Sequence, residues 1–399
     1  MIGRVSHLRN ILKKIEPVKV QLFVFLFCGF SYLLLYSFFS QESMSLLSWQ
    51  DHWFHLRLIR ILDDQSSYTP FFEGHPVPYP VLFHHLVRIV STLANLTVKT
   101  SLLLVSCLVS FGSGFLIFLI ISEISKDNLA GLIGVILLGV GANFTTFFSE
   151  TIFFGGAFIF PVNYFIAGFL PNLMGHFFGL SLLYLMVKST LKKPRHILFC
   201  GFLGAALILS HLIASATYLI AAACLSFSSY ITHENIKFRQ FGIILFLSIA
   251  ISSFWWLTIM GELTERSHLI LLSNAGKNWS DSGFVTEIVR YYGFIPIFSL
   301  LGAFYLKKIS KINIFLILWA SILFILLFTQ WGARLALELA IPLYMLGAVG
   351  ISQTIRWALS RKNEWFVVRL TVLVFVFACL CDIVRLFEIL KNIFIQKIL

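Results

Sequence analysis

The chain of 399 residues is 58% hydrophobic and only 12% charged, with a mean hydropathy of +0.89. A soluble surface needs about twice that share of charged residues, so the composition excludes a single soluble domain and indicates a protein surrounded by membrane lipid. The net charge of +12 comes in short basic groups between apolar runs, a pattern that reflects membrane topology and argues against a nucleic-acid partner.

The first apolar run, from Val20 to Phe39, is long enough to cross a bilayer. Five basic residues precede it, namely Arg4, Arg9, Lys13, Lys14 and Lys19. The positive-inside rule therefore predicts a cytoplasmic N-terminus. Because the run leads into a polar segment without a small-residue cleavage site, we expect a retained first span rather than a signal peptide.

A cluster of ionisable side chains follows this span, in the stretch Asp51-His52-Trp53-Phe54-His55-Leu56-Arg57. Such groups lose solvation beside a bilayer and are usually kept for binding or chemistry. On a helix, Asp51 and His55 are four residues apart and share a face, so both could contact one substrate or metal ion. The alternative is that Asp51 is simply an N-cap, and the spacing leaves both interpretations open.

Two amphipathic helices are predicted in the first outer loop, at about residues 40–100. From Asp51 to Leu62, apolar side chains recur at helical spacing, at Phe54, Leu58, Ile59 and Leu62. A second helix from Pro80 to Leu96 carries His84, His85 and Arg88. These polar groups make the second helix a poor span but a suitable interfacial helix.

Ten further apolar runs bring the predicted number of spans to about eleven. They lie near residues 101–121, 129–148, 163–187, 196–210, 211–230, 240–260, 291–306, 313–329, 335–355 and 365–385. If the spans alternate in direction, all five cytoplasmic loops between them carry Lys or Arg, as the positive-inside rule requires. We therefore predict an all-α, polytopic transmembrane helix bundle that forms one domain over residues 1–399, with no separate soluble domain.

Three candidate site residues come later in the chain, on the predicted outer side. Glu150, in the second outer loop, is either a functional group or a solvated carboxylate. His211, like His176, is a lone histidine in apolar surroundings, where a structural role is the more common one. Arg334 precedes Glu338 by one helical turn, so it could form an i,i+4 salt bridge or bind a phosphate with its planar guanidinium.

The first outer loop resembles that of the GT-C superfamily of polytopic glycosyltransferases. The resemblance rests on Asp51, Phe54, His55 and Arg57, about 25 residues ahead of Pro78-Tyr79-Pro80 and a helix that contains histidines. The superfamily includes the catalytic subunit of oligosaccharyltransferase and the protein mannosyltransferases. An acidic residue after the first span lies at their active site, near the acceptor and in some branches near a divalent metal. The resemblance implies this place for Asp51, with His55 and Arg57 beside it.

Other segments resemble recurrent features of prokaryotic GT-C-like families, namely Pro171 to His176, Ser210-His211-Leu212, and Arg334 followed by Ile341-Pro342-Leu343. The chain also departs from oligosaccharyltransferases. These carry a soluble C-terminal domain with a Trp-Trp-Asp motif, whereas Trp255-Trp256 is followed by leucine within a predicted span. Recognition of an Asn sequon is therefore not predicted.

The implied donor is a sugar on a polyprenyl phosphate, with its tail in membrane lipid and its phosphate at the outer interface. Asp51 is the candidate base for the acceptor hydroxyl. Substrate-binding roles fall to His55, Arg57, His211 and Arg334, of which Arg334 would hold the phosphate. A divalent metal, Mg²⁺ or Mn²⁺, could bind Asp51 and Glu150, although Glu150 is the only acid of its loop. The family also implies inversion at the anomeric carbon.

Two other classes of function are consistent with the sequence. Transporters and lipid flippases tend to place ionisable groups and broken helices near the membrane midplane. Here the mid-span candidates are few, namely His176, Glu338 and Asp382, which favours chemistry at the membrane surface. A non-catalytic GT-C-like subunit is the other alternative, and the sugar and the acceptor are left open.

Overall fold

The structure of the protein, a computed structural model, describes residues 26, 56, 58–59, 71–72, 75–76, 81–140, 170–188, 193–232, 238–260, 292, 295–309, 313–329, 332–360, 366–367 and 369–373. Within these ranges there are ten long helices: α1 Leu82–Ala94, α2 Val98–Ser125, α3 Asn128–Val140, α4 Leu170–Val187, α5 Pro194–Ser210, α6 Leu212–Thr232, α7 Phe238–Met260, α8 Ile295–Ile309, α9 Ile314–Leu326 and α10 Gly332–Ser360. Two short strands precede them, β1 Phe71–Phe72 and β2 His75–Pro76, paired antiparallel. The chain is a helix bundle, as predicted.

Four helices of the described part are long and apolar enough to cross a membrane. These segments are Val98–Ser125, Leu212–Thr232, Phe238–Leu257 and Glu338–Ser360. Large apolar side chains also lie exposed on the outside of the bundle, among them Phe202, Phe246, Phe254 and Phe304. A soluble protein rarely exposes so much apolar surface, so these side chains indicate contact with lipid. The chain is an integral membrane protein.

The described helices α2 to α10 lie at the positions predicted for the second to tenth spans. The break between α5 and α6 falls at His211, which confirms that the apolar segment around this residue contains two helices. Trp255 and Trp256 lie within α7, as predicted. Of the first predicted span only Leu26 is described, and of the last span only residues 366–367 and 369–373 are described.

Helix α1 corresponds to the predicted interfacial helix. Its 13 residues lie within the predicted bounds of Pro80 to Leu96 and include His84, His85 and Arg88, the polar groups on which that prediction rests. Phe83, His84 and Val87 are buried, and α1 packs against α2. In the helix predicted from Asp51 to Leu62, Leu58 and Ile59 are helical and buried, which agrees with the predicted apolar face.

Helix α10 lies at the centre of the bundle. It contacts α3, α8 and α9, while α4 packs against α2, α5 and α6. The backbones of α8 and α10 touch, because a Cβ atom at Gly302 would overlap the carbonyl oxygen of Leu346 and one at Gly350 would overlap that of Phe298. Small residues allow membrane helices to approach in this way. The two helices therefore form a closely packed pair.

The connection between α2 and α3 is bound to α10 through Asp127. The Asp127 carboxylate accepts hydrogen bonds from both the Nε and a terminal nitrogen of Arg356, and from the hydroxyl of Ser352. It also accepts the backbone N–H of Leu129 at 3.0 Å, as the N-cap of a helix does. One side chain therefore starts α3 and holds it against α10.

Candidate functional site

The structure describes only part of the predicted site. Asp51, His55, Arg57 and Glu150 lie outside the described residues, so their predicted roles stay predictions. His211 is described, and so is the backbone of Arg334, in the first turn of α10. The contacts of the predicted site can therefore be described only for these two residues and the groups around them.

His211 connects two helices and caps the second one. Its backbone is extended, with φ −163°, and its N–H donates to the Leu207 carbonyl at 3.2 Å. Its ring atom Nδ1 accepts the backbone N–H of Ala214 at 3.3 Å, which satisfies a donor of the first turn of α6. His211 therefore has the structural role that is common for a lone histidine, and its contact with substrate stays a prediction.

Helix α4 lies directly against this junction. A Cβ atom at Gly175 would lie 2.8 Å from the Cβ of Ala214 and 3.2 Å from the Cβ of His211. Because contacts this short force a neighbour to move, glycine at this position allows α4 to approach the start of α6 closely. His176, the next residue of α4, therefore lies near His211.

Glu338 and His176 meet in the interior of the bundle. The Nε2 atom of His176 is 3.8 Å from Oε1 of Glu338, and their side chains are 0% and 1% exposed. The side-chain amide of Asn172, one turn earlier on α4, donates to the same oxygen at 3.4 Å. Thr217 of α6 lies near the carboxyl group, although its hydroxyl is not within hydrogen-bonding geometry of it. The Glu338 carboxyl group therefore faces α4 and α6.

An aromatic side chain of α6 packs against the histidine of this group. The Nδ1 atom of His176 is 3.2 Å from the hydroxyl of Tyr218 on α6, and their ring centroids are 5.7 Å apart. The Tyr218 ring also contacts Trp319 of α9, at a centroid distance of 5.7 Å. A Cβ atom at Gly179 would overlap the Tyr218 ring. The ring therefore occupies space that only glycine leaves open.

We call Asn172, His176, Thr217, Tyr218 and Glu338 the inner polar cluster. The sequence identified His176 and Glu338 as mid-span ionisable groups, but it gave no sign that they meet. The spacing of Asn172 and His176, four residues apart on one helix face, was the available signal. The cluster joins α4, α6 and α10. Glu338 lies one turn after Arg334 on α10, and Asn172 and His176 lie in the first two turns of α4.

A metal site is not found in the described part of the chain, where no group of three or more His, Cys, Asp or Glu side chains could hold an ion. The predicted metal ligands, Asp51 and Glu150, lie outside that part. The possible binding of Mg²⁺ or Mn²⁺ by these residues therefore stays a prediction.

Comparison with known proteins gives similarity in structure but not in sequence. No protein-family model matches the chain. No curated protein matches its sequence either. Among solved structures, the apo form of the Archaeoglobus fulgidus oligosaccharyltransferase has a TM-score of 0.58 at 14% identity, over 91% of this chain and 56% of that chain.

Two further structures of the Archaeoglobus fulgidus enzyme have similar values. The complex with Zn and sulfate has a TM-score of 0.53 at 16% identity, over 83% of this chain and 49% of that one. The complex with an inhibitory peptide and a dolichol-phosphate has a TM-score of 0.53 at 14% identity, over 84% and 52%. The chain thus spans about half the length of the solved protein. This likeness confirms the predicted resemblance in fold to an oligosaccharyltransferase.

Proposed function

We propose that the chain is a membrane glycosyltransferase that moves a sugar from a polyprenyl-phosphate-linked donor to an acceptor at the outer face of the membrane. The observation that carries the proposal is the fold shared with an oligosaccharyltransferase over 91% of this chain. One structure of that protein contains a dolichol-phosphate, which belongs to the chemical class of the predicted donor. Because the chain spans 56% of that protein, the activity, the donor and the acceptor are all part of the proposal.

In the proposed reaction the carboxylate of Asp51 takes the proton of the acceptor hydroxyl. The acceptor oxygen forms a bond to the anomeric carbon as the bond from that carbon to the donor phosphate breaks, and the phosphate leaves with the electron pair. Attack from the face opposite the phosphate inverts the anomeric carbon. Arg334 holds the charge of the leaving phosphate with its planar guanidinium.

The remaining predicted residues have supporting roles in this proposal. His55, Arg57 and His211 orient the acceptor or the phosphate. A divalent ion, Mg²⁺ or Mn²⁺, held by Asp51 and Glu150, would supply further positive charge at the phosphate when bound. The related oligosaccharyltransferase has been crystallised with Zn and sulfate, which is consistent with cation and anion sites in this fold.

The proposal is tested with purified full-length protein in lipid nanodiscs, a panel of radiolabelled polyprenyl-phosphate sugars and a membrane extract as the source of acceptor. We expect label transfer with the wild type and a loss of at least about 100-fold in Asp51→Asn, because the base is removed. Asp63→Asn, which changes another acid of the same predicted loop, is the matched control and should retain activity.

Each part of the proposal can fail separately in this assay. Full activity in Asp51→Asn would remove Asp51 as the base. Loss of transfer on chelation, with recovery on adding Mg²⁺ or Mn²⁺, is expected if the metal site exists, and unchanged transfer in chelator would exclude it. Absence of transfer from every donor in the panel would refute the glycosyltransferase proposal itself.

A lipid flippase is the second candidate, and the inner polar cluster is the observation that favours it. Ionisable groups inside a membrane protein often mark transport routes, and His176 and Glu338 are only 3.8 Å apart. This candidate predicts that the protein moves a fluorescent polyprenyl phosphate across liposome membranes without any sugar transfer. Transfer of label with no lipid movement would exclude it.

A further inference from the structure

The start of α10 is joined to the rest of that helix by one backbone hydrogen bond fewer than usual. Pro342 lies inside α10 and has no backbone N–H, so the carbonyl of Glu338 lacks its usual helical donor. A proline ring also crowds that carbonyl and typically kinks a helix. Residues 332–341, which include Arg334, are therefore held less firmly by the helix itself than an uninterrupted helix would hold them.

Two side-chain contacts hold this segment from the side. The hydroxyl of Tyr292 donates to the carbonyl of Ala336 at 2.8 Å. Glu338 makes the other contact, because its Oε1 accepts the amide of Asn172 at 3.4 Å and lies 3.8 Å from Nε2 of His176. The orientation of residues 332–341 relative to α4 therefore depends on the inner polar cluster.

Stability alone does not account for a carboxyl group at this position. Glu338 is 1% exposed, and its neighbours along α10, Leu339 and Ala340, are buried apolar residues. Replacement of a whole buried polar group by packed apolar side chains is often neutral or stabilising, whereas loss of one partner leaves the others unsatisfied. The contact that only a polar side chain can make, the one to Asn172 and His176, is what Glu338 adds.

We propose that Glu338 is a positioning residue, which fixes residues 332–341 against α4 and thereby sets the place of Arg334. His176 shares this role, because it joins Glu338 to Tyr218 of α6, the helix that begins after His211. Two of the four predicted substrate-binding residues, His211 and Arg334, thus lie at the starts of helices that meet at one buried histidine. The link from Arg334 to phosphate rests on the proposed function. The role of Glu338 in holding residues 332–341 against α4 does not.

The first experiment measures the position of this segment without any substrate. Spin labels are attached at Leu212→Cys and Ala333→Cys in the full chain, with its six native cysteines replaced, and the distance distribution is recorded. We expect Glu338→Leu to broaden it and Glu338→Gln to retain the wild-type distribution, because the glutamine carbonyl can still accept from Asn172. Pro342→Ala, which restores the missing N–H, should narrow the distribution again in the Glu338→Leu background.

Two results of the distance measurement would overturn the inference. One is a wild-type distribution in Glu338→Leu, and the other is equal broadening in Glu338→Gln and Glu338→Leu. If Glu338→Leu does not fold, Asn172→Leu removes the same contact from the α4 side. It should broaden the distribution, and a distribution unchanged from that of the wild type would count against the inference.

The second experiment measures binding of a polyprenyl phosphate to the same proteins in nanodiscs. We expect Glu338→Leu to weaken binding about tenfold, the equivalent of one lost hydrogen bond to a charged group, and Glu338→Gln to bind like the wild type. If the distances broaden but the wild type binds no polyprenyl phosphate, the proposed donor fails while the fixing of the segment stands. If the distances broaden and Glu338→Leu binds like the wild type, the link to Arg334 is wrong.

Discussion

Replacing Asp127 by alanine tests the contact that joins the start of α3 to the C-terminal part of α10. Asp127 is 5% exposed, and its carboxylate accepts from Leu129 N–H at 3.0 Å and from Arg356 Nε at 2.9 Å. It also accepts the hydroxyl of Ser352. Asp127→Ala removes all of these contacts at once, so we expect a lower melting midpoint without a change of fold.

The size of the effect follows from the contacts. Loss of a helix N-cap costs about 1 kcal/mol. Each hydrogen bond to a charged group is worth about 1.5–3 kcal/mol, but the Arg356 side chain is 40% exposed, so we count the ion pair as about 1–2 kcal/mol in total. The buried hydrogen bond from Ser352 adds about 1.5 kcal/mol. The sum is about 3–5 kcal/mol, which in a chain of this size lowers the melting midpoint by about 4–6 °C.

The assay is thermal unfolding of the purified protein in one detergent, with two matched variants. Asp127→Asn retains a good cap but loses the charge, so its melting midpoint should lie between those of the wild type and Asp127→Ala. Arg356→Met removes the ion pair but not the cap and should behave like Asp127→Asn. A midpoint for Asp127→Ala equal to that of the wild type would refute the assigned contacts, and equal midpoints for the Asn and Ala variants would refute the capping role.

The same pair predicts a dependence on pH. Burial would raise the pKa of Asp127, but hydrogen bonds from Arg356 and Ser352, the charge of Arg356 and the N–H of Leu129 together hold it below its ordinary value. A group whose pKa is lower in the folded state stabilises the fold fully above its unfolded pKa, about 4, and loses this contribution as the pH falls further. The difference between wild type and Asp127→Ala should therefore be constant from about pH 5 to 8 and shrink below about pH 4.

Two further substitutions test the packing of the bundle by the same melting assay. Gly302→Leu places a side chain against the carbonyl of Leu346 and should destabilise the protein by about 1–3 kcal/mol or more. Gly242→Leu is the control and should not destabilise it, because nothing lies within 4 Å of a Cβ atom added there. Equal effects of the two substitutions would contradict the close contact of α8 and α10. Asn313→Leu removes a donor that bonds the carbonyl of Ile124 at 3.2 Å and should cost about 1–2 kcal/mol, while an unchanged midpoint would show that this bond is dispensable.

The helices could be predicted from the sequence because lipid requires long apolar runs between polar connections. The break at His211 and the shortness of α1 also followed from local features, namely a polar residue between two runs and the polar side chains of His84, His85 and Arg88. The pairing of α8 with α10 did not follow, although Gly302 was visible. A glycine shows that a close approach is allowed, but its partner helix is decided by the packing of the whole bundle.

The candidate site was only partly predictable for the same reason. The cluster from Asp51 to Arg57 is contiguous in sequence, so a pattern could reveal it, and its roles still await a test. The pair of Asn172 and Glu338 is separated by 166 residues, and no local spacing connects them. The sequence placed Glu338 beside Arg334 on one helix, whereas the structure adds that the Glu338 carboxyl group faces α4.

The inner polar cluster also bears on the choice between sugar transfer and lipid transport. A transporter must expose its ionisable groups to each side in turn, usually by moving one group of helices against another. Here His176 and Glu338 are buried, Tyr218 packs between His176 and Trp319, and the backbones of α10 and α8 are in contact. A fixed frame of this kind suits a site that must hold a donor and an acceptor in one geometry. Alternating access would therefore require these contacts to break, whereas the proposed transfer would not.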